Sequence, residues 1–436
     1  MTTYSEQLLP GPVEPLEAVA ALVDSGLFDQ YVVYERDNTW YVAGDPLGEV
    51  MVRPGTVQAS YAETVEWSDT PWQALDAVLA QTPVEGWNAF GWACFELASD
   101  PARDGGEPLA QLMIPGTEVH ISPAGIRVRY LDAARAGAVE AALALAARAR
   151  QGHSRPVDVR TSDGTYEKAV ALSVADIRAG RLDKVILSRV VEIPFAVDLC
   201  ATYVAGRAGN TPARSFLLDL GAWRAAGFSP ETVVEVRPCG LASTQPLAGT
   251  RALTGDAGLD EQLRNELCTD AKEVFEHATS VKLAFDELAG VGGFAATKVS
   301  EFLTVKARGS VQHLASRVET SLPPGVSGWS ALGAVFPAVT ASGIPKAAAY
   351  QLISELEDER RGLYSGTVLM AGSDGSLDAA LVLRSVYQQG DRSWLRAGAG
   401  IVGESRPERE FEETCEKLAS VAPFLIPIDN ISGVAV

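Results

Sequence analysis

The sequence predicts a globular chain of mixed helices and strands, and three observations predict it. Apolar and polar residues alternate in short, Gly/Pro-punctuated runs such as YVVYERDNTWYVAGDP, the mark of half-buried hairpin strands. Other stretches place apolar residues at steps of three and four, the mark of amphipathic helices. The composition, 47% hydrophobic with 21% charged over 436 residues, allows a sizeable core.

In chain order, Tyr31 to Val57 reads as hairpin strands, with further strands at Trp87 to Glu96 and Glu118 to Tyr130. Ala133 to Arg150 is an alanine-rich helix. The polar segment Gly152 to Gly164 divides a strand-rich part, residues 1–155, from the remainder, 156–436, the two expected to form one compact domain. A helix follows behind the caps Ser162 and Asp163 and closes at Gly180. Lys184 to Phe195 is a strand, and SFLLDLG pairs with WRAAGFSPETVVEVRP. Asp260 to Leu288 is a long helix or two in series, and shorter signals alternate through Thr304 to Leu314, Ala347 to Glu357, Tyr364 to Ala371 and Ala379 to Gln388.

The last stretch, LRAGAGIVGESRPEREFEETCEK from Leu395 to Lys417, reads as a strand, three glycines (Gly398, Gly400, Gly403) and a helix. Ser405, Pro407 and Glu408 match a capped helix start. The glycines fit G-x-G-x-x-G, but the chain ends too soon afterwards for a Rossmann unit. Amides freed by glycine suit a ligand carboxylate instead.

A net charge of −20 argues against nucleic acid or an anionic membrane as partner, so an anionic substrate needs local cations or a metal. Five cysteines without C-x-x-C spacing suit a reducing cytoplasm. The first residues lack a basic region followed by an apolar one, so no signal peptide is expected. No apolar run approaches the roughly 20 residues that span a bilayer.

Several residues are able to carry chemistry. Glu273 with Glu276, and Glu410 with Glu413, are i,i+3 carboxylate pairs on helices. They are either solvated faces with charge pairing or, if the helices face each other, oxygen ligands for a hard cation such as Mg²⁺. Lys184, opening an apolar strand, either snorkels to solvent or, if buried, loses charge and serves as a general base. Gly249, Thr250 and Arg251 form a tight turn with a hydroxyl and a guanidinium beside it. His313 reads as a hydrogen-bonded core histidine. Arg384, in the apolar run AALVLRSVY, must meet a carboxylate of the protein or of a ligand.

Together these stretches resemble the chorismate-utilising enzymes, the family of anthranilate, aminodeoxychorismate, isochorismate and salicylate synthases. DKVILSR, GFSPE, PLAGTR, AKEVFEH, SVQHL, FPAVTASGIPK, RGLYSG, LRAGAGIVGES and EFEETCEK occur in that order between about Thr165 and Leu425. The likeness is greatest to the salicylate-forming members of actinobacterial siderophore pathways. It implies an α+β fold, two large mostly antiparallel sheets packed together with helices outside. It also implies a cytoplasmic monomer converting chorismate through isochorismate to salicylate and pyruvate. Isochorismate synthesis alone, or anthranilate or aminodeoxychorismate formation, are the alternative activities.

Carried over by position, the resemblance implies that Glu276 and Glu413 hold Mg²⁺, supported through water by Glu273 and Glu410. Lys184 would activate water and Glu231 would protonate the departing hydroxyl. Gly249, Thr250, His313, Tyr364, Arg384, Gly398, Gly400 and Lys417 would contact substrate. One departure is Gln245, where an acidic residue is expected in the nearest relatives.

Overall fold

The computed structural model describes residues 2–99, 107–144, 152–309 and 311–428. The expected strands and helices are present with modest changes at their ends, and the architecture is α+β. The helix expected from Ala133 to Arg150 is Ala133–Ala144, and the rest of that expectation lies outside the described residues.

Two strands organise the sheets, Thr39–Arg53 and Ala110–Ser122, which pair along nearly their whole length. Their ladder is irregular between Pro46 and Gly48, next to Asp45 at φ 56°. A bulge there bends both strands, so each half belongs to a different sheet. From one half runs Tyr31–Arg36, then Arg214–Leu220, Trp223–Ser229, Ser385–Gln389, Arg392–Ile401 and Lys184–Glu192. From the other runs Asn88–Ala93, then Thr367–Gly372, Leu377–Leu381, Thr232–Val236, Leu241–Thr244 and the hairpin Thr297–Arg308 with Val311–Ser321. Strands from residues 1–155 thus pair with strands from 156–436 in both sheets.

Apolar side chains pointing inward from both sheets meet in one cluster, including Tyr34, Phe90, Trp92, Phe216, Val368 and Tyr387. The outer faces are covered by helices, as period-two strands with two apolar faces require. Pro15–Asp24 and Leu199–Gly209 cover one sheet; Trp72–Leu79, Ala271–Gly292 and Gly328–Val335 cover the other.

Three local readings change. Asp260 to Leu288 is two helices, Ala257–Thr269 and Ala271–Gly292, because the extended Asp270 breaks the first and caps the second through the amides of Lys272 and Glu273. Gly398 and Gly400 lie inside a strand rather than in a loop. At the last helix, Pro407–Leu418, Ser405 is not the cap: Arg406 occupies that place without a side-chain bond, and Ser405 Oγ accepts from the Val402 amide.

Candidate active site

The site forms where the edge of one sheet, a strand end of the other, and the two glutamate-bearing helices converge. A single cavity is lined by Lys184, Glu231, Gly249, Thr250, Glu273, Glu276, His313, Tyr364, Arg384, Gly398, Gly400, Glu413 and Lys417. Of the fourteen site residues named from the sequence, only Glu410 is not in that lining.

The strand Arg392–Ile401 supplies amides by the logic of antiparallel pairing. Ile186 N–H donates to Ser342 O and Ser188 N–H to Glu357 Oε1, so both turn away from the partner strand. Gly400 and Gly398, opposite them, are therefore non-hydrogen-bonded pairs whose N–H groups point to the other edge. The neighbouring strand covers that edge only as far as Leu395, so beyond it both glycines face the cavity. A Cβ on Gly400 would stand 2.5 Å from Glu276 Oε1, and one on Gly398 2.9 Å from the Tyr364 hydroxyl. At Gly398 the Leu187 carbonyl oxygen, 2.5 Å from such a Cβ, is backbone and leaves no room for a side chain, whereas at Gly400 a side chain would displace Glu276.

Lys184 is 2% exposed, which excludes snorkelling. Its Nζ lies 2.8 Å from Glu276 Oε1 and 3.3 Å from Ser280 Oγ. Burial therefore comes with a carboxylate partner. Glu231 is buried beside the start of the strand Thr232–Val236, and the Thr340 hydroxyl donates to its Oε1 at 2.6 Å. Burial pushes the Glu231 carboxyl up to about 8, against smaller opposing effects of Thr340, the Leu247 amide and Lys184. A carboxyl in that range is still largely protonated at neutral pH and is a competent proton donor.

Gly249 has φ +82°, forms a bulge against Val311–Ser321, and leaves the Thr250 amide donating to Glu273 Oε2 at 3.2 Å. His313 Nε2 faces Arg384 Nη2 at 3.1 Å, and because guanidinium only donates, Nε2 accepts. The ring proton then sits on Nδ1, 3.0 Å from Thr250 Oγ1 and 3.3 Å from Gly249 O. Burial, reinforced by Arg384 and Lys417, holds His313 well below its usual range, so it is neutral. Arg384 itself is lowered to about 10 by burial. Among the described residues no carboxylate lies within ion-pair distance of it, and the side chain it bonds is His313. The Arg384 φ of 53° is a strained backbone for a non-glycine residue.

The four glutamates stand in a ring of cations. Glu273 Oε1 meets Arg251 at 3.1 Å, Glu276 meets Lys184, Glu410 Oε1 meets Lys272 at 3.3 Å, and Glu413 meets Lys417 at 2.7 Å. Burial and the neighbouring Glu276 raise Glu273; burial and Glu413 raise Glu410. Burial also opposes charge on Glu413, but Lys417 outweighs it and holds that carboxyl low, at about 2. Glu410 Oε2 is buried with no hydrogen-bond partner. Among the described residues no three carboxylate, imidazole or thiol groups already converge at metal-ligand spacing. The donors are carboxylate oxygens, the set a hard cation takes, and the orphaned Oε2 is a lone pair such a cation would satisfy.

Sequence reasoning missed Thr340, Arg396 and Glu357. Arg396 lines the cavity and stacks on Tyr364 with its guanidinium 5.4 Å from the ring centroid. It is held by Glu357 Oε2 at 2.6 Å, and Glu357 also binds Arg361 and Ser188. Both Thr340 and Arg396 fall inside the quoted motifs, where a hydroxyl or a guanidinium was the available signal.

Residues 29–423 match the family described as chorismate binding enzyme, and the chain belongs to that family of enzymes. It is similar to a salicylate synthase from Mycolicibacterium paratuberculosis, 41% identical over 434 residues, 96% of this chain and 95% of that one. Anthranilate synthase component 1 from Aeropyrum pernix is 38% identical over 263 residues, covering 60% of each. Among solved structures, anthranilate synthase component I from Streptococcus pneumoniae superposes with a TM-score of 0.74 at 24% identity, covering 88% of this chain and 92% of that one. The menaquinone-specific isochorismate synthase from Escherichia coli does so with 0.73 at 22%, covering 97% and 95%. These two establish the fold.

Proposed function

We propose that the protein is a Mg²⁺-dependent salicylate synthase, turning chorismate through isochorismate into salicylate and pyruvate, in the cytoplasm and for siderophore assembly. The observation that carries this reading is the likeness to a salicylate synthase over nearly the whole of both chains. A protonated Glu231 and a buried Lys184 in one cavity with the unpaired Arg384 support it chemically.

Chorismate carries two carboxylates. Arg384, Tyr364 and the Gly398 and Gly400 amides bind that of the enolpyruvyl group, with Lys417, Gly249, Thr250 and the neutral His313 completing the wall. Glu276 and Glu413 would hold Mg²⁺, with Glu273 and Glu410 supporting it through water; when bound it supplies positive charge to the ring carboxylate. Lys184 takes a proton from the water that adds at C2. Glu231 gives its proton to the C4 hydroxyl, which leaves as water while the ring double bonds shift. In the second step the C2 hydrogen passes to the enolpyruvyl methylene as the C3–O bond breaks, the ring becomes aromatic and pyruvate departs. That transfer needs the bound conformer held in place and no further acid or base.

Incubating the purified protein with chorismate, with and without Mg²⁺ and ammonium, tests the reading. Salicylate with an equal amount of pyruvate, formed only with Mg²⁺ and regardless of ammonium, is expected. Isochorismate without pyruvate would replace the reading with an isochorismate synthase, and an ammonium-dependent aromatic amine with an anthranilate or aminodeoxychorismate synthase.

A further inference from the structure

Among the cations around the glutamates, Lys272 differs from the others. Lys184 is buried, Lys417 is partly exposed, and both have second partners, in Ser280 and Gly398 O. Arg251 is tied to Asp270 and Thr250 O as well as to Glu273. Among the described residues the Lys272 ammonium has one partner, Glu410 Oε1 at 3.3 Å, and its side chain is 27% exposed. It is therefore the lysine held by the fewest bonds, and unlike Lys184 it has a path to solvent. It also lies in the first turn of Ala271–Gly292, beside Glu273, and feels Glu410, Glu413, Glu273 and Glu276 together. The far oxygen of its one partner, Glu410 Oε2, is buried and unpartnered.

We propose that Lys272 is the internal counter-ion of the carboxylate cluster, neutralising it when no divalent cation is present and yielding Glu410 when one binds. This inference rests on the metal assignment made above. A lysine serves this purpose where an arginine would not, because its flexible stem and single point charge withdraw without breaking a bidentate lock. The consequence is that Mg²⁺ binds in competition with an intramolecular ligand. The apparent affinity is reduced by the occupancy of that ion pair.

Direct binding distinguishes this from a purely structural ion pair. Mn²⁺ binding to the full-length protein without substrate, followed by the loss of the free-ion electron paramagnetic resonance signal, is compared for wild type, Lys272→Met and Lys272→Arg, with Mg²⁺ displacing the Mn²⁺. Thermal unfolding of each variant without metal shows that the fold is kept. Lys272→Met is expected to bind Mn²⁺ about tenfold more tightly, equivalent to about 1.4 kcal/mol. Lys272→Arg, which keeps the charge, is expected to bind no more tightly than wild type. Unchanged or weaker binding by Lys272→Met overturns the counter-ion role while leaving the metal site standing. Failure of the wild type itself to bind Mn²⁺ overturns the metal assignment and this inference with it.

Discussion

Glu231→Gln separates what this residue does for chemistry from what it costs the fold. The substitution keeps the size of the side chain and an oxygen for the Thr340 hydroxyl, but removes the titrating proton. Burial raises the Glu231 carboxyl from 4.5 to about 8. The native state therefore holds a proton that the unfolded chain releases between those values. There the unfolded state binds fewer protons, and stability falls as pH rises, by about 1.4 kcal/mol per unit. The stability is fully present below about 4.5 and is lost progressively until about pH 8, a total on the order of 5 kcal/mol.

The glutamine variant has no such loss. Denaturant unfolding of both proteins from pH 5 to 8 should show the variant gaining several kcal/mol relative to wild type, the double difference cancelling every other titrating group. Assayed from pH 5 to 9, the wild-type kcat/KM for chorismate should decline above about pH 8, as the acid ionises, and the variant should lose roughly 10²–10⁴-fold at neutral pH. A wild-type rate that stays level through pH 9, or a variant within tenfold of wild type, refutes the assignment of Glu231 as the acid. A variant that gains no relative stability refutes the burial argument.

Lys184→Ala should cut turnover at neutral pH by roughly 10²-fold or more, and unchanged turnover would remove Lys184 from the mechanism. Arg384→Met should raise KM by about 10²-fold while stabilising the ligand-free protein by roughly 1–3 kcal/mol, because it removes a buried charge without a carboxylate partner; steady-state kinetics and thermal unfolding read the two effects separately. Glu357→Gln should cost about 3–5 kcal/mol in denaturant unfolding, since it leaves the buried Arg361 and Arg396 short of their shared carboxylate. Residues 1–155 and 156–436, interleaved in both sheets, are proposed to unfold as one unit, so fluorescence and circular dichroism transitions should coincide.

Much of the fold was legible because strand alternation and helical stripes are local signals, and Tyr31–Arg36 or Ala271–Gly292 declare themselves within a dozen residues. What escaped depends on partners remote in sequence. Gly398 and Gly400 look like a loop because glycine has weak strand propensity; they lie in a strand because they pair with Ser188 and Ile186, remote in sequence, and Leu187 O, Tyr364 and Glu276 occupy the space a side chain would take. The bend that makes two sheets from two long strands rests on one irregularity near Pro46, which reads locally as any turn. In the site, the carboxylate pairs and Lys184 stood out as charges in apolar or helical patterns. Glu357 did not, since its meaning comes from Ser188, 169 residues away, and from Arg396. Thr340 matters only through the one hydrogen bond that reaches Glu231.

Charge balance ties the proposed chemistry to the arrangement of the cavity. Glu273, Glu276, Glu410 and Glu413 each have a cation, one of which, Arg251, also serves Asp270, whereas among the described residues Arg384 has no carboxylate within ion-pair distance. A neutral Glu231 and a neutral His313 add no charge. A second guanidinium of the lining, Arg396, shares the single carboxylate of Glu357 with Arg361, so the cavity wall keeps a surplus of positive charge. That surplus is the complement an anionic ligand requires on a protein whose net charge is −20.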